Sequence, residues 1–162
     1  MELTRLILCG NPNSGKSTLF NRLCGAHRRT GNFAGVSVDA GEGHLVRGGE
    51  NFSVKDLPGM YALTPHSADE RAAVDALMRT EGVILQIIDA AALERSLHLT
   101  AALASLHRPM VLALNMADEL ARRGVRIDVH TLTQLTGLPA FPISARRGEG
   151  IDALRAGARH AP

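Results

Sequence analysis

Tryptophan is absent, tyrosine occurs once and phenylalanine four times, so aromatics make up only 3% of this 162-residue chain. The core must therefore come from Leu, Val, Ile and Ala, and a hydrophobic content of 45% suffices for one domain. Lysine is nearly missing as well. Lys16 and Lys55 are the only two, and the remaining Lys and Arg positions are all arginine. Neither sign of charge dominates: the net charge is +2, too small to argue for nucleic acid or an anionic membrane. The paired arginines 28–29, 122–123 and 146–147 are scattered along the chain and read as solvated loops. Two cysteines, Cys9 and Cys24, fall in an expected strand and at an expected helix end, as free buried thiols of a reducing compartment do. No apolar run approaches the ~20 residues needed to cross a bilayer, and residues 1–5 lack a signal-peptide core. Repeats, low-complexity tracts and linkers are lacking too. One soluble, cytoplasmic domain over 1–162 is the expectation.

What is present centres on Gly10-Asn11-Pro12-Asn13-Ser14-Gly15-Lys16-Ser17. An apolar run, 6–9, precedes it and a helix-like segment, 18–23, follows, which gives strand, glycine-bounded loop and helix with G-x-x-x-x-G-K-S spacing. A tight loop turns successive backbone N–H groups inward, and the helix start adds its positive dipole end. Gly10, Asn11, Asn13, Ser14, Gly15, Lys16, Ser17 and Thr18 are thus candidate phosphate contacts. Lys16 supplies a compact ammonium for the β- and γ-phosphates, and the Ser17 hydroxyl is placed to hold Mg²⁺.

Runs 3–9, 82–89, 109–115 and 139–143 read as buried parallel strands. Segments 68–79 and 92–107 carry helical stripes, and a short last helix is expected over 151–155. Segments 41–47 and 51–56 read as a hairpin on one edge. The alternation predicts an α/β fold: a mostly parallel six-stranded sheet with one antiparallel edge strand and helices on both faces. Its ligand should lie at the carboxyl ends of the strands. The irregular stretch 25–40 is long enough to suggest a functional loop.

Three more motifs follow in order. Asp56-Leu57-Pro58-Gly59 closes an edge strand, where Asp56 can hold Mg²⁺ and Gly59 lets a backbone N–H approach the γ-phosphate. Asn115-Met116-Ala117-Asp118 follows a strand. Guanine presents N1–H and its 2-amino group on one edge, and the Asp118 carboxylate can accept both. Asn115 can bond N7 and tie its loop to the phosphate loop, while the Met116 stem packs on the base face. The alternative for Asn115 is an ordinary helix cap. After the last strand, Ile143-Ser144-Ala145 offers the Ala145 N–H to guanine O6. A hydroxyl sensing the γ-phosphate should lie in 25–40, with Thr30 and Ser37 as candidates. Met60 stands where regulatory GTPases often carry Gln, so unaided hydrolysis should be slow.

With these residues the chain resembles the cytosolic G domain of ferrous iron transport protein B, FeoB, a bacterial membrane transporter. The matching strings are residues 10–21, 31–39 (Gly31-Asn32-Phe33-Ala34-Gly35-Val36-Ser37-Val38-Asp39), 56–64 and 115–119. The resemblance implies a P-loop NTPase of the Ras-like G-domain type that binds GTP and GDP with Mg²⁺. It places the sensor at Ser37, a Mg²⁺ ligand beside Ser17 and Asp56, with Gly35 and Val36 against the nucleotide and Ser144 beside the base. It implies K⁺ in place of an arginine finger, held by Asn11 and the carbonyls of Gly31 and Phe33. Arg28 or Arg29 as a finger in cis is the competing reading. Lys16, Ser37, Gly59 and Asn11 would then be the catalytic set, and 27–40 and 57–75 the switch loops. The implied partners are guanine nucleotide and the membrane transporter domain of the same parent in the bacterial inner membrane, with no nucleic acid. The helical regulatory domain and membrane helices that usually follow are not expected within 1–162, and the seven histidines suggest no iron site. Two further readings stand beside this one: a translation-factor-like GTPase of ribosome assembly or tRNA modification, and a slow nucleotide-sensing module.

Overall fold

The computed structural model describes residues 3–24, 41–47 and 50–162. Strand β1 (Leu3–Gly10) runs into helix α1 (Lys16–Cys24), and β2 (Glu42–Arg47) and β3 (Glu50–Asp56) form the hairpin. Then come α2 (Ala68–Arg79), β4 (Val83–Asp89), α3 (Leu93–Ala104), β5 (Met110–Asn115) and α4 (Ala117–Arg122). The chain closes with α5 (Val129–Thr136), β6 (Ala140–Pro142) and α6 (Ile151–Arg159). The sheet order is β2-β3-β1-β4-β5-β6, with only the β2–β3 pair antiparallel.

The central strands are mostly apolar because both faces are covered; buried Gln86 in the middle of β4 is an exception and donates to the Ser96 carbonyl at 3.3 Å. In β1, Leu6 and Leu8 face one core while Ile7 and Cys9 face the other. The same alternation divides Leu85 and Ile87 from Ile84 and Ile88, and Val111 and Ala113 from Met110 and Leu112. Helix α1 covers the first core with Leu19, Phe20 and Leu23, and α6 joins it with Ile151, Leu154 and Ala158. Ala73 and Leu77 of α2, Leu99 and Leu103 of α3, and Leu132 of α5 cover the second. Burial pushes the thiols of Cys9 and Cys24 up to about 12. Neither is a thiolate near neutrality, so iodoacetamide at pH 8 should modify both only after unfolding. Labelling of the folded chain at the rate of an exposed cysteine would contradict that burial.

Helix 68–79 matches its sequence expectation, starting behind a capping box. Ser67 Oγ accepts from the Glu70 N–H at 3.1 Å, and the Glu70 carboxylate accepts from the His66 N–H at 2.7 Å. The expected switch segment 57–75 therefore includes the first turns of a capped helix, and its beginning is anchored by buried Leu57 and Met60. Helix α6 runs four residues beyond expectation, to Arg159. Helix α5 was not anticipated. Its Thr-rich sequence carries little helix propensity, yet Asp128 caps its start and Gly137, at φ +70°, ends it.

Candidate functional site

Because β3 and β4 lie on either side of β1, the chain leaves β1 at a point where the connections diverge in opposite directions. That is where an open α/β sheet has a crevice at its carboxyl end. Register puts Asp56 opposite Leu8, Ile87 opposite Gly10, and Asn115 opposite Asp89, so the motif residues emerge at one level.

The loop between β1 and α1 has the geometry its glycines require. Gly10 sits so close to β4 that an added Cβ would lie 2.6 Å from the Ile87 carbonyl oxygen. Gly15 has φ +94°, and Asn13 takes φ 63°, a conformation that asparagine tolerates better than most residues. The Ser14 N–H donates to the Asn11 carbonyl at 3.3 Å, and the Leu19 N–H to the Gly15 carbonyl at 3.0 Å. Ser17 and Thr18 lie exposed at the start of α1.

Lys16 and Asp56, forty residues apart, meet at this loop: Nζ donates to Oδ1 at 2.7 Å. Their side chains are only 12% and 1% exposed, so removing either would leave a charge with little solvent access. The segment after Asp56 lies along the loop. Leu57 N–H donates to the Leu8 carbonyl and Met60 N–H to the Gly10 carbonyl. An added Cβ at Gly59 would fall 2.8 Å from Pro12 Cγ, so backbone approaches backbone there. Met60 points the other way, fully buried with Ile7, Cys9 and Leu57. No side chain at that position is aimed toward the loop to orient a water.

Asn115 is not a helix cap. Its Nδ2 donates to the Ser14 carbonyl at 3.0 Å, and its Oδ1 accepts the Ala145 N–H at 2.9 Å. Met116, at φ 64° and with no capping hydrogen bond of its own, occupies the cap position of α4. A single 4%-exposed amide thus joins the loop after β1 to the loop after β6. One Nδ2 hydrogen remains for N7 of a base. The Ala145 N–H, expected to face the base, already has Asn115 as its partner, so reading O6 means sharing that donor. Asp118 lies at the same rim, its side chain 9% exposed, with Arg122 at 3.8 Å and Arg147 at 3.9 Å. The scattered arginines meet in space: Arg122, Arg123 and Arg146 line one cavity of about 380 Å³ with Glu119. A larger cavity, about 850 Å³, lies at the opposite end of the strands among Arg5, Glu50, Arg108 and His160. There Arg108 braces the carbonyls of Leu77, Thr80 and Gly82, a structural duty.

The residues fit the ions that the sequence implies. Asn11 is buried, and its Oδ1 has no hydrogen-bond partner among the described residues. A neutral oxygen left so costs free energy that a monovalent cation would offset. A hydroxyl at Ser17 and a carboxylate at Asp56 are oxygen donors of the kind that hold Mg²⁺. Thr30, Gly31, Phe33, Gly35, Val36 and Ser37, with the expected switch loop 27–40, lie outside the described residues.

Sequence reasoning did not anticipate Arg22. From α1 its Nε donates to the Ala145 carbonyl at 2.9 Å and its Nη2 to the Arg146 carbonyl. With partners 123 and 124 positions away, no local signal points to it.

A glycine-bounded loop leading into α1, an acidic strand end beside it and an Asn-x-x-Asp loop on the next strand but one define a P-loop protein of the G-domain class. Residues 4–158 match the model of the family described as ferrous iron transport protein B, and the chain belongs to that family. It is 43% identical over 160 residues to the Fe(2+) transporter FeoB of Salmonella typhimurium. That match covers 96% of this chain and 21% of the relative. With the FeoB of Legionella pneumophila it is 41% identical over 163 residues, covering 98% and 22%. The chain thus spans about a fifth of the length of the curated relatives it matches. Among solved structures, the FeoB G-domain from Methanococcus jannaschii superposes with a TM-score of 0.87 at 38% identity, covering 99% of this chain and 97% of that one. The NFeoB of S. thermophilus bound to GDP.AlF4- and K+ gives 0.86 at 40% identity, covering 98% and 62%.

Proposed function

We propose that residues 1–162 form a single GTP-binding domain that hydrolyses GTP slowly with Mg²⁺ and is stimulated by K⁺. In its parent protein this domain passes nucleotide state to a ferrous iron pathway in the bacterial inner membrane, from the cytoplasmic side. The observation that carries the reading is the Asn115 side chain, which fastens the loop built for phosphate to the loop built for a base. Lys16 and the loop N–H groups hold the β- and γ-phosphates, with Gly10, Asn13, Ser14, Gly15 and Thr18 shaping the cradle. Gly59 brings its backbone N–H to the γ-phosphate, and Asp118, Asn115, Met116, Ser144 and Ala145 hold the base. Ser17, Ser37 and Asp56 would hold Mg²⁺, and Asn11, with the Gly31 and Phe33 carbonyls, K⁺. Gly35 and Val36, outside the described residues, would stand against the nucleotide. When bound, the two cations offset negative charge that builds on the phosphate oxygens during cleavage. Segments 27–40 and 57–75 are the parts whose arrangement follows the nucleotide. Burial of Met60 also favours a second, slower reading, in which the domain chiefly senses nucleotide and cleaves it incidentally.

The test compares GTP turnover in KCl and in NaCl at equal ionic strength. Faster turnover in KCl is expected, and Asn11→Ala should abolish that difference while changing GDP affinity less than about threefold. Turnover equal in the two salts would favour the sensing module. Potassium stimulation that survives the substitution would take Asn11 out of its role.

A further inference from the structure

We propose that Arg22 is a positioning residue that holds the 144–150 loop in place and so sets how long a guanine nucleotide stays bound. The proposal rests on the guanine-nucleotide reading of the site. The loop is closed on itself around Ser144. That residue's N–H donates to the Glu149 carbonyl at 3.0 Å, and its own carbonyl accepts from Gly148 and Glu149 at 2.8 and 3.1 Å. Its hydroxyl accepts the Arg147 N–H at 3.3 Å. These bonds shape the turn without fastening it to the rest of the domain.

Fastening comes from elsewhere. Asn115 takes the Ala145 N–H, and Arg22 takes the two carbonyls that follow. The guanidinium also lies against the loop at Gly148, where an added Cβ would come 3.3 Å from Nη1. Consecutive carbonyls facing one way suit two N–H groups of a planar fork, which the point charge of a lysine cannot reproduce. Arg22 lies on the same helix as Lys16 and Ser17, six residues from Lys16. One rigid rod therefore positions the phosphate contacts at its start and the base loop further along. Arg22 is exposed, so its hydrogen bonds compete with water and the effect should be moderate.

Release of methylanthraniloyl-GDP, followed by stopped-flow fluorescence in magnesium buffer, tests this with Arg22→Ala and Arg22→Lys. Arg22→Ala should speed release about three- to tenfold, with the association rate and melting temperature near those of the parent chain. Arg22→Lys should recover only part of the loss. Inorganic pyrophosphate, which occupies the phosphate loop alone, should compete equally well against all three proteins. Unchanged release in Arg22→Ala, full recovery in Arg22→Lys, or weakened pyrophosphate binding would each overturn the proposal. Failure of the unsubstituted chain to bind GDP would remove the guanine reading together with it. Tight GDP binding indifferent to Arg22 would remove this inference alone.

Discussion

Asp118→Asn is expected to weaken GTP binding by about 10²- to 10⁴-fold and to make xanthosine triphosphate the preferred ligand. The range follows from two hydrogen bonds to a charged acceptor, each worth roughly 1.5–3 kcal/mol. Guanine donates from N1 and from its 2-amino group. Xanthine keeps the first donor and replaces the second with an oxygen. An amide offers one acceptor and one donor, which suits xanthine and leaves one of guanine's two donors facing an N–H₂. The fold should tolerate the change. The arginine contacts of Asp118 are long, at 3.8 and 3.9 Å, and both arginines are more than half exposed, so little stability resides in them. Isothermal titration with both nucleotides in magnesium buffer reads the result. Unchanged preference for GTP would remove Asp118 as the base-reading carboxylate.

The second large effect concerns Gly15→Ala, set against Gly124→Ala. Both glycines have positive φ, +94° and +75°, so the conformational strain of an added Cβ is similar, about 1 kcal/mol. Their surroundings differ. At Gly124 a Cβ meets nothing within 4 Å, whereas at Gly15 it would lie 2.2 Å from Asn115 Nδ2. That amide cannot move aside without releasing the Ser14 carbonyl and the Ala145 N–H together. Gly15→Ala should therefore lose about 3–4 kcal/mol, some 6–16 °C in melting temperature, along with measurable nucleotide binding. Gly124→Ala should lose about 2–4 °C and keep its affinity. Equal losses in the two variants would mean that strain, rather than the Asn115 junction, governs the loop.

Much of the architecture was legible beforehand. Short apolar runs between helical stripes announced buried parallel strands, and β1, β4 and β5 appear where those runs lie. Helix α2 was readable from its apolar stripe, and the structure adds the Ser67 cap at its start. Helix α5 was not, because its stability comes from caps and from burying Leu132 rather than from its residue preferences. In the site, Lys16, Asp56, Asn115 and Asp118 were legible from motif spacing. The tie from Asn115 to the phosphate loop was expected as well, whereas its bond to the Ala145 N–H and the Lys16–Asp56 pair were not.

Sequence alone determined which residue types stand at each motif and the alternation of strand with helix. Both depend on neighbours within a few residues: turn geometry, period, and side-chain type at a loop. Only the tertiary structure decided that Asn115 is a tie rather than a cap, and that the Ala145 N–H is already engaged. It also decided that Lys16 and Asp56 neutralise each other and that Arg22 reaches a loop more than a hundred residues away. Those pairings arise because the sheet places β3 and β4 on either side of β1, with β5 beyond β4, in an order that the chain does not follow, and strand order is a property of both packed faces at once.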